Sequence, residues 1–378
     1  MLMWTFELLI ALFKPMLPGL RALLLLSLSM LISLPAISAD SASKDYGISN
    51  NERINIMGRY VVEQDNSLRM SYPGVTISFV AQAKRATLSA LSESGNGRID
   101  VIIDNKYSHT IELSKDKHKH PLFFNPQNNR HTVHLINRTE SWQSINQVFN
   151  LELLDGDLLP APRVSSRKLL LIGDSVTCGS GVSTGKQCDT HIKGTDARNS
   201  YGYLLGEKLD ANVHLVCFGG RGIIRSWDEN PKDIQAPAFF EMALPFKEEN
   251  APWDHQQYQP DAIIISLGTN DFNPGIPDRN KFVSTYIDFV RRLASVHPKS
   301  NILITEGAML NDGVPERPNK TVVRTYMKDI EQRANVATLS YEPANHYPGD
   351  ACDPHPTAGQ HEKMAQDLEQ ALRERLGW

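Results

Sequence analysis

From residue 163 onward, the chain consists of short, continuous apolar runs that alternate with amphipathic stretches. The runs are Leu169–Ile172, Val213–Phe218, Ala262–Leu267, Asn301–Thr305 and Val336–Leu339. Uninterrupted apolar runs predict strands buried on both faces. The stretches with helical spacing are Tyr201–Leu209, Lys281–Val296, Val322–Arg333 and Thr357–Leu376. Alternating strands and helices indicate a parallel sheet covered by helices, which we assign to residues 163–378.

Residues 40–162 carry a different pattern, in which apolar and polar residues alternate over short segments. The clearest segments are Val75–Phe79, Ile99–Ile103, His131–Leu135 and Phe149–Leu153. Turn signals rich in glycine, asparagine and proline separate them. Period-two patterning predicts strands with one buried face, and many short strands without helices predict a β-sandwich. Leu159–Arg163, with two prolines, is the predicted linker between the two domains.

The first 39 residues form a segment of their own. Lys14 and Arg21 precede an uncharged run at 22–37, and small residues follow up to Ala39. We interpret residues 1–39 as a secretory signal peptide cut near Ala39, with an N-terminal anchor as the alternative. Met16 is a second possible start. The mature protein is therefore expected to be secreted or periplasmic, without stable membrane insertion.

Charge and cysteine content narrow the function further. The 378 residues have a net charge of −4 and no long run of one sign, which argues against nucleic acid as a partner. Four cysteines in an exported chain allow two disulfides in three pairings. Cys178 could pair with Cys352 across the predicted site or with Cys188 around a loop, and Cys217 completes the set. Their spacing does not suggest a zinc site.

Polar turns follow three of the predicted strands, and a fourth polar segment precedes the last helix. They are Gly173-Asp174-Ser175, Gly219–Gly222, Gly268–Asp271 and Asp353–His355. The carboxyl ends of parallel strands lie at one edge of a sheet, where ligands bind in open α/β folds. We therefore expect these four segments to meet in one pocket.

The residue types in these segments match nucleophilic catalysis on an acyl group. Ser175 is the predicted nucleophile and His355 the base that activates it. The backbone N–H groups of Ser175 and Gly220 and the side-chain amide of Asn270 are the predicted oxyanion donors. Either Asp353 or a backbone carbonyl orients His355. The helix after His355 is expected to favour its neutral form. This chemistry requires neither a metal nor an organic cofactor.

Positions 173–177 read GDSVT, so the Gly-x-Ser-x-Gly elbow of α/β-hydrolases is disfavoured. Instead GDS, Gly220, GTND and the Asp/His segment resemble the four blocks of SGNH (GDSL-type) hydrolases, over residues 167–376. The resemblance implies a flavodoxin-like α/β/α fold and ester hydrolysis by Ser175 and His355.

A narrower resemblance covers nearly the whole mature chain. GDSVTCGSGV, GGRGI and SLGTNDF, preceded by Arg138-Thr139-Glu140, are similar to carbohydrate esterase family 2. That family implies an N-terminal jelly roll and removal of acetyl groups from polysaccharides such as xylan and glucomannan. Two positions depart from the patterns: one residue, not two, separates Asp353 from His355, and Gly219 stands where the family often has serine.

Three other functions share these features. They are a periplasmic SGNH lipase or thioesterase, an O-acetyl esterase or transferase acting on a bacterial glycan, and a carbohydrate-binding protein with a decayed site. The intact Ser175, Asn270 and His355 argue against the last. We expect the partner to be an acetylated polysaccharide or oligosaccharide and the protein to be a monomer.

Several neighbouring residues have weaker predicted roles. Trp227, Trp253, Phe272 and Tyr347 could stack on a sugar ring, although packing is the favoured interpretation for each. Asp271 is expected to support the Asn270 loop, and Asp174 is expected to cap the turn that follows it.

Overall fold

The computed structural model describes residues 42–183, 191–249, 251–343 and 347–378. The predicted signal peptide and Cys188 lie outside the described residues. Ser43–Trp378 forms one compact unit. No helix in the described part of the chain combines the length and the apolar character needed to cross a membrane.

Strands fill the first part of this unit. They are β1 (Ser43–Gly47), β2 (Ile54–Met57), β3 (Val61–Val62), β4 (Leu68–Met70), β5 (Thr76–Gln82), β6 (Arg85–Ser92), β7 (Arg98–Ile103), β8 (Lys106–Glu112), β9 (His118–Phe124), β10 (Arg130–Asn137), β11 (Asn146–Leu154) and β12 (Asp157–Leu159). One antiparallel sheet has the order β3-β4-β11-β6-β9, with β1 also on β11. The other has the order β12-β5-β10-β7-β8, with β2 also on β5. The two sheets share one apolar core, so the predicted β-sandwich is confirmed.

Strands and helices alternate in the second part. They are β13 (Arg167–Gly173), α1 (Ser175–Cys178), α2 (His191–Gly194), α3 (Tyr201–Leu209), β14 (Ala211–Cys217), α4 (Ala236–Phe239), β15 (Ala262–Ser266), α5 (Thr269–Phe272), α6 (Arg279–Val296), β16 (Asn301–Thr305), α7 (Asn319–Arg333), β17 (Thr338–Tyr341) and α8 (Ala358–Leu376). The last strand begins two residues later than predicted, because Asn335 has φ +56° and the chain pairs with β16 only from Thr338.

The parallel sheet has the order β14-β13-β15-β16-β17. Each strand pairs in parallel with its neighbours, and Gly173 at the end of β13 lies level with Cys217 of β14 and Ser266 of β15. After β13 the chain goes first to one side, as β14, and then to the other, as β15. The end of β13 is therefore the topological switch point of a flavodoxin-like sheet.

Alternate residues of β13 pack into different apolar layers. Leu169 and Leu171 belong to a cluster with the buried faces of α3 and α8. Leu170 and Ile172 belong to a second cluster, which includes the buried faces of α6 and α7 and continues into the interior of the β-sandwich. The predicted α/β/α layering is thus confirmed, and one of its two apolar layers is continuous with the sandwich core.

A buried arginine joins the sandwich to the parallel-sheet part. Arg59 is almost fully enclosed, and its guanidinium donates hydrogen bonds to the carbonyls of Phe240, at 2.5 Å, and Met242, at 3.0 Å. It also lies 5.2 Å from the ring centroid of Phe240 and 5.1 Å from that of Trp253, within cation–π distance of both. A guanidinium removed from water needs such partners, so this contact fixes the two parts together.

A disulfide joins the helix that carries Ser175 to the neighbouring strand. Cys178, at the end of α1, pairs with Cys217, at the end of β14, 39 residues later. Both predicted partners of Cys178, Cys188 and Cys352, are therefore wrong. The parallel pairing of β13 and β14 brings Cys178 beside Cys217, and spacing along the chain does not reveal that proximity. Cys352 is also disulfide-bonded.

Replacing Cys178 and Cys217 together by alanine should lower the free energy of unfolding by about 3 to 4 kcal/mol. The reason is that the cross-link restricts a segment of this length in the unfolded chain. Urea denaturation followed by circular dichroism measures the loss. The double variant isolates this bond, whereas a reductant would also break the disulfide of Cys352. An unchanged denaturation midpoint would contradict the expectation.

Candidate active site

Ser175 is the first residue of α1, two residues after the end of β13. Asp174 is the N-cap of this helix, and its carboxylate accepts a hydrogen bond from the backbone N–H of Val176 at 3.0 Å. The prediction that Asp174 caps the turn is confirmed. Burial raises the pKa of Asp174 to about 6. The cap fixes the turn that brings the Ser175 hydroxyl to the edge of the sheet.

A hydrogen-bonded chain of three side chains starts at Ser175. The Oγ of Ser175 lies 2.9 Å from Nε2 of His355, and Nδ1 of His355 lies 2.6 Å from Oδ1 of Asp353. The same Asp353 oxygen accepts a hydrogen bond from the backbone N–H of His355 at 2.9 Å. A carboxylate in this position holds the imidazole with Nε2 turned toward the serine, the arrangement needed to remove a hydroxyl proton.

The electrostatic surroundings of His355 differ from the prediction. Burial lowers its pKa, but the hydrogen bond that His355 donates to Asp353 and the nearby charges of Asp353, Glu140 and Asp174 outweigh burial and raise the pKa above 6.5. The expectation that the following helix favours the neutral imidazole is therefore wrong in direction. Helix α8 begins only at Ala358, and the carboxyl groups lie closer to the ring.

The turn after β14 carries Gly220 with φ +75°, a conformation that favours glycine. A Cβ at position 220 would also lie 2.7 Å from Cδ1 of Trp227, whose backbone N–H donates to the Gly220 carbonyl at 3.0 Å. Both the backbone conformation and the neighbouring indole therefore require glycine at position 220.

Asn270 follows β15, within the short helix α5. Its side-chain nitrogen donates to the carbonyl of Arg221 at 2.9 Å and lies 3.4 Å from Oδ2 of Asp174. These two contacts connect the turns after β13, β14 and β15. The structure thus brings all five predicted site residues to one edge of the sheet: Ser175, Gly220, Asn270, Asp353 and His355.

Asp271 ties the short helix that carries Asn270 to the segment after Gly220. Its buried carboxylate accepts hydrogen bonds from the backbone N–H groups of Ile223, at 2.9 Å, Ile224, at 2.8 Å, and Arg225, at 3.3 Å. Burial raises its pKa to about 6, while these donors lower it. Asp271 therefore stabilises the segment that follows Gly220, because three donors of that segment converge on one carboxylate.

Three of the four predicted sugar-stacking residues are buried. Trp253, Phe272 and Tyr347 lie in the apolar core, so packing is their role. Trp227, by contrast, is 55% exposed and lies beside Gly220. A second tryptophan, Trp142, is 44% exposed, and its Nε1 would lie 3.2 Å from a Cβ at position 219. The sequence analysis did not identify Trp142, which belongs to the sandwich part. The only sequence feature that pointed to this region was the Arg138–Glu140 motif just before it.

The described ranges, 42–183, 191–249, 251–343 and 347–378, contain no cluster of three or more His, Cys, Asp or Glu side chains arranged to hold a metal ion. The groups that meet at the sheet edge are a hydroxyl, an imidazole, a carboxylate, an amide and backbone N–H groups. Such a set can activate a hydroxyl and stabilise a negatively charged oxygen.

Comparison with known proteins identifies two family matches. Residues 56–162 match the model of the carbohydrate esterase 2 N-terminal domain. Residues 171–366 match the GDSL-like lipase/acylhydrolase family. The two matches follow one another along the chain in the order of the sandwich and the parallel-sheet part.

Individual relatives agree with these matches. The chain is 40% identical over 330 residues to an acetylxylan esterase/glucomannan deacetylase of Cellvibrio japonicus, covering 87% of this chain and 91% of that protein. A solved family two carbohydrate esterase from the same organism superposes with a TM-score of 0.86 at 39% identity, covering 89% of this chain and 99% of the other.

A family two carbohydrate esterase from Clostridium thermocellum in complex with cellohexaose shares the fold. Its TM-score is 0.77 at 24% identity, and the match covers 86% of this chain and 99% of the other. With both parts of the chain matched in order, and with a relative at 40% identity over nearly its whole length, the chain belongs to the GDSL-like hydrolases and, within them, to the family two carbohydrate esterases.

Proposed function

We propose that this chain is a serine esterase that removes O-acetyl groups from a polysaccharide of the xylan or glucomannan type. The observation that carries the proposal is the chain of short contacts from Ser175 through His355 to Asp353, at 2.9 and 2.6 Å. The name of the Cellvibrio relative, acetylxylan esterase/glucomannan deacetylase, supports the substrate class.

The proposed reaction begins when Nε2 of His355 takes the proton of the Ser175 hydroxyl. The freed Oγ attacks the acetyl carbonyl carbon and forms a tetrahedral intermediate. His355 then gives this proton to the sugar oxygen, and the carbon–oxygen bond to the sugar breaks. Water attacks the acetyl-enzyme with His355 again as base, and acetate leaves as Ser175 regains its proton. Asp353 holds the Nδ1 proton and stabilises the imidazolium in both steps.

Negative charge develops on the former carbonyl oxygen in both halves of the reaction. The backbone N–H groups of Ser175 and Gly220 and the side-chain amide of Asn270 are the proposed donors to it. One amide hydrogen of Asn270 is used by the Arg221 carbonyl, at 2.9 Å. The other amide hydrogen is donated to Oδ2 of Asp174 at 3.4 Å. This longer bond is the one that a substrate oxygen would replace.

The proposal extends to the organisation and export of the chain. It divides the sequence into a signal peptide at residues 1–39, a β-sandwich at 40–162 and a catalytic domain at 163–378. The family matches at 56–162 and 171–366 fall within the last two. The mature enzyme is secreted or periplasmic. A monomer is sufficient for the chemistry, since a single chain supplies every group named above.

Ser175→Ala should abolish hydrolysis of 4-nitrophenyl acetate and release of acetate from acetylated xylan, because no other group in the mechanism can carry the acetyl. The measurement is kcat/KM on both substrates, with folding checked by circular dichroism. Loss of activity also excludes a protein that only binds carbohydrate. Full activity in this variant would refute the mechanism.

A panel of acetylated xylan, glucomannan, peptidoglycan and alginate tests the substrate class with the same enzyme. Faster acetate release from xylan or glucomannan supports the proposal. A preference for peptidoglycan or alginate would favour an enzyme of bacterial glycans. In a parallel assay, faster hydrolysis of long-chain 4-nitrophenyl esters than of 4-nitrophenyl acetate would favour a lipase or thioesterase.

Asp353→Asn should lower kcat about 100-fold or more, because an amide cannot hold His355 in the required tautomer or stabilise the imidazolium. It should also lower the pKa of His355, which Asp353 raises in the wild type. Imidazole chemical shifts, followed by NMR as pH varies, measure that pKa. The exposed Asp288→Asn on α6 is a matched control. A loss of kcat below about threefold would favour a backbone carbonyl as the partner of His355.

Trp227→Ala should raise KM for acetylated xylan about 5- to 10-fold, since an exposed indole beside Gly220 offers a flat apolar face to a sugar ring. The KM for 4-nitrophenyl acetate, which has no sugar, should change little. Phe124→Ala, an exposed aromatic on β9, serves as the control. Equal effects on both substrates would contradict a sugar contact.

A further inference from the structure

Glu140 is a buried carboxyl group of the β-sandwich part that lies against the catalytic part. It belongs to the segment between β10 and β11, and its exposed fraction is 0%. Its Oε2 accepts a hydrogen bond from the hydroxyl of Ser180 at 2.5 Å. Ser180 lies just beyond the helix that begins with Ser175, so a group from one part of the molecule binds the segment that follows the nucleophile in the other.

The Ser180–Gly181 segment contacts the rest of the triad. The backbone N–H of Ser180 donates to the carbonyl of Ser175 at 3.0 Å. A Cβ at position 181 would lie 2.8 Å from the Cβ of His355 and 3.1 Å from the Cγ of Asp353. The segment that Glu140 binds at Ser180 is therefore packed, at the next residue, against His355 and Asp353.

The second oxygen of Glu140 lies beside the turn that carries the proposed oxyanion donor. A Cβ at position 219 would be 2.1 Å from Oε1 of Glu140, so a serine there would overlap the carboxyl group. Glycine at 219 thus leaves room for the Glu140 carboxyl group in this chain. Gly220 is the next residue. If Glu140 moved away, the Gly219–Gly220 turn would lose the neighbour that now holds it in place.

The backbone around Glu140 is anchored to the catalytic part on both sides. Arg138 donates through Nε to the carbonyl of Thr195 at 2.7 Å, and the Gln143 side chain donates to the Thr195 hydroxyl at 2.9 Å. The Ser141 hydroxyl donates to the carbonyl of Cys217 at 2.7 Å. Cys217 is the last residue of β14, two residues before Gly219. These bonds fix where the carboxyl group can lie.

We propose that Glu140 is a positioning residue of the esterase site, through which the β-sandwich holds the Ser175 helix and the Gly219–Gly220 turn in their catalytic arrangement. The inference rests on the proposed esterase function and deepens it. Glu140 makes no contact with the reacting atoms in this assignment. It acts through Ser180 on one side and through Gly219 on the other.

The charge of Glu140 also raises the pKa of the catalytic base, His355. Burial raises the pKa of Glu140 to about 7, while hydrogen bonds from Ser180 and Trp142 lower it. The charged groups that act on His355 are Asp353, Glu140 and Asp174, and each raises its pKa. Removing the Glu140 charge therefore lowers the pKa of His355. His355 then remains neutral down to a lower pH, so the acidic limb of the kcat/KM profile also shifts to lower pH.

Glu140→Gln keeps the size of the side chain and tests the proposal. We expect kcat on 4-nitrophenyl acetate to fall about 10- to 100-fold with little change in KM, because misplacement of catalytic groups affects the chemical step. The acidic limb of kcat/KM should move to lower pH by a few tenths of a unit. A role in folding alone would lower stability without moving this limb.

Ser180→Ala provides a second variant should Glu140→Gln fold poorly. It removes the hydroxyl that Glu140 binds and should lower kcat in the same direction. In the double variant the loss should not exceed the larger single loss, since both changes break one contact. Glu112→Gln, an exposed carboxyl of the same sandwich at β8, is the matched control and should leave kcat and the pH profile unchanged.

The outcomes separate this inference from the proposed function. Wild-type kcat and an unmoved acidic limb in both Glu140→Gln and Ser180→Ala, together with an inactive Ser175→Ala, would overturn the role of Glu140 and leave the esterase intact. An active Ser175→Ala would overturn the esterase mechanism itself. Additive losses in the double variant would also contradict a shared contact between Glu140 and Ser180.

Discussion

The parallel register of β13 with its two neighbours is the constraint on which the site depends. Gly173 pairs with the last residue of β14 and the last residue of β15, so three consecutive turns leave the sheet at the same level. Each turn carries one part of the chemistry: a hydroxyl after β13, a positive-φ glycine after β14 and an amide after β15. A slip of one strand would move its group by about 3.3 Å, farther than a hydrogen bond tolerates.

Buried carboxyl groups form a second level of organisation around that edge. Asp174, Asp271, Asp353 and Glu140 are all nearly inaccessible to water, and each accepts at least one hydrogen bond from a backbone N–H or a hydroxyl. Those donors offset the cost of burying the carboxyl groups. All four fix loops or caps, and three of them, Asp353, Glu140 and Asp174, also raise the pKa of His355. Geometry and proton affinity at this site therefore have a common origin.

Sequence patterns were sufficient wherever the determinant is local. Apolar runs gave the strands of the parallel sheet, period-two alternation gave the sandwich, and polar turns at strand ends gave Ser175 and Asn270. Contacts between distant segments have no such signal, so the Cys178–Cys217 bond and the contact between Glu140 and Ser180 became visible only in three dimensions. The pKa of His355 was misjudged for a related reason. Asp353, two residues away, was already a predicted partner of His355, whereas Glu140 and Asp174, whose charges add to its effect, come from distant segments.

The apolar cluster described above runs without a break from the interior of the sandwich to one face of the parallel sheet. When two domains share a core, one of them cannot simply be replaced by the corresponding domain of another protein. Each apolar contact across their boundary requires a matching shape on the other side. The sandwich is thus poorly suited to act as an interchangeable module of the kind that recombination shuffles among unrelated enzymes. A chimera with the sandwich of one family member and the catalytic domain of another would therefore bring together two faces that do not match in shape.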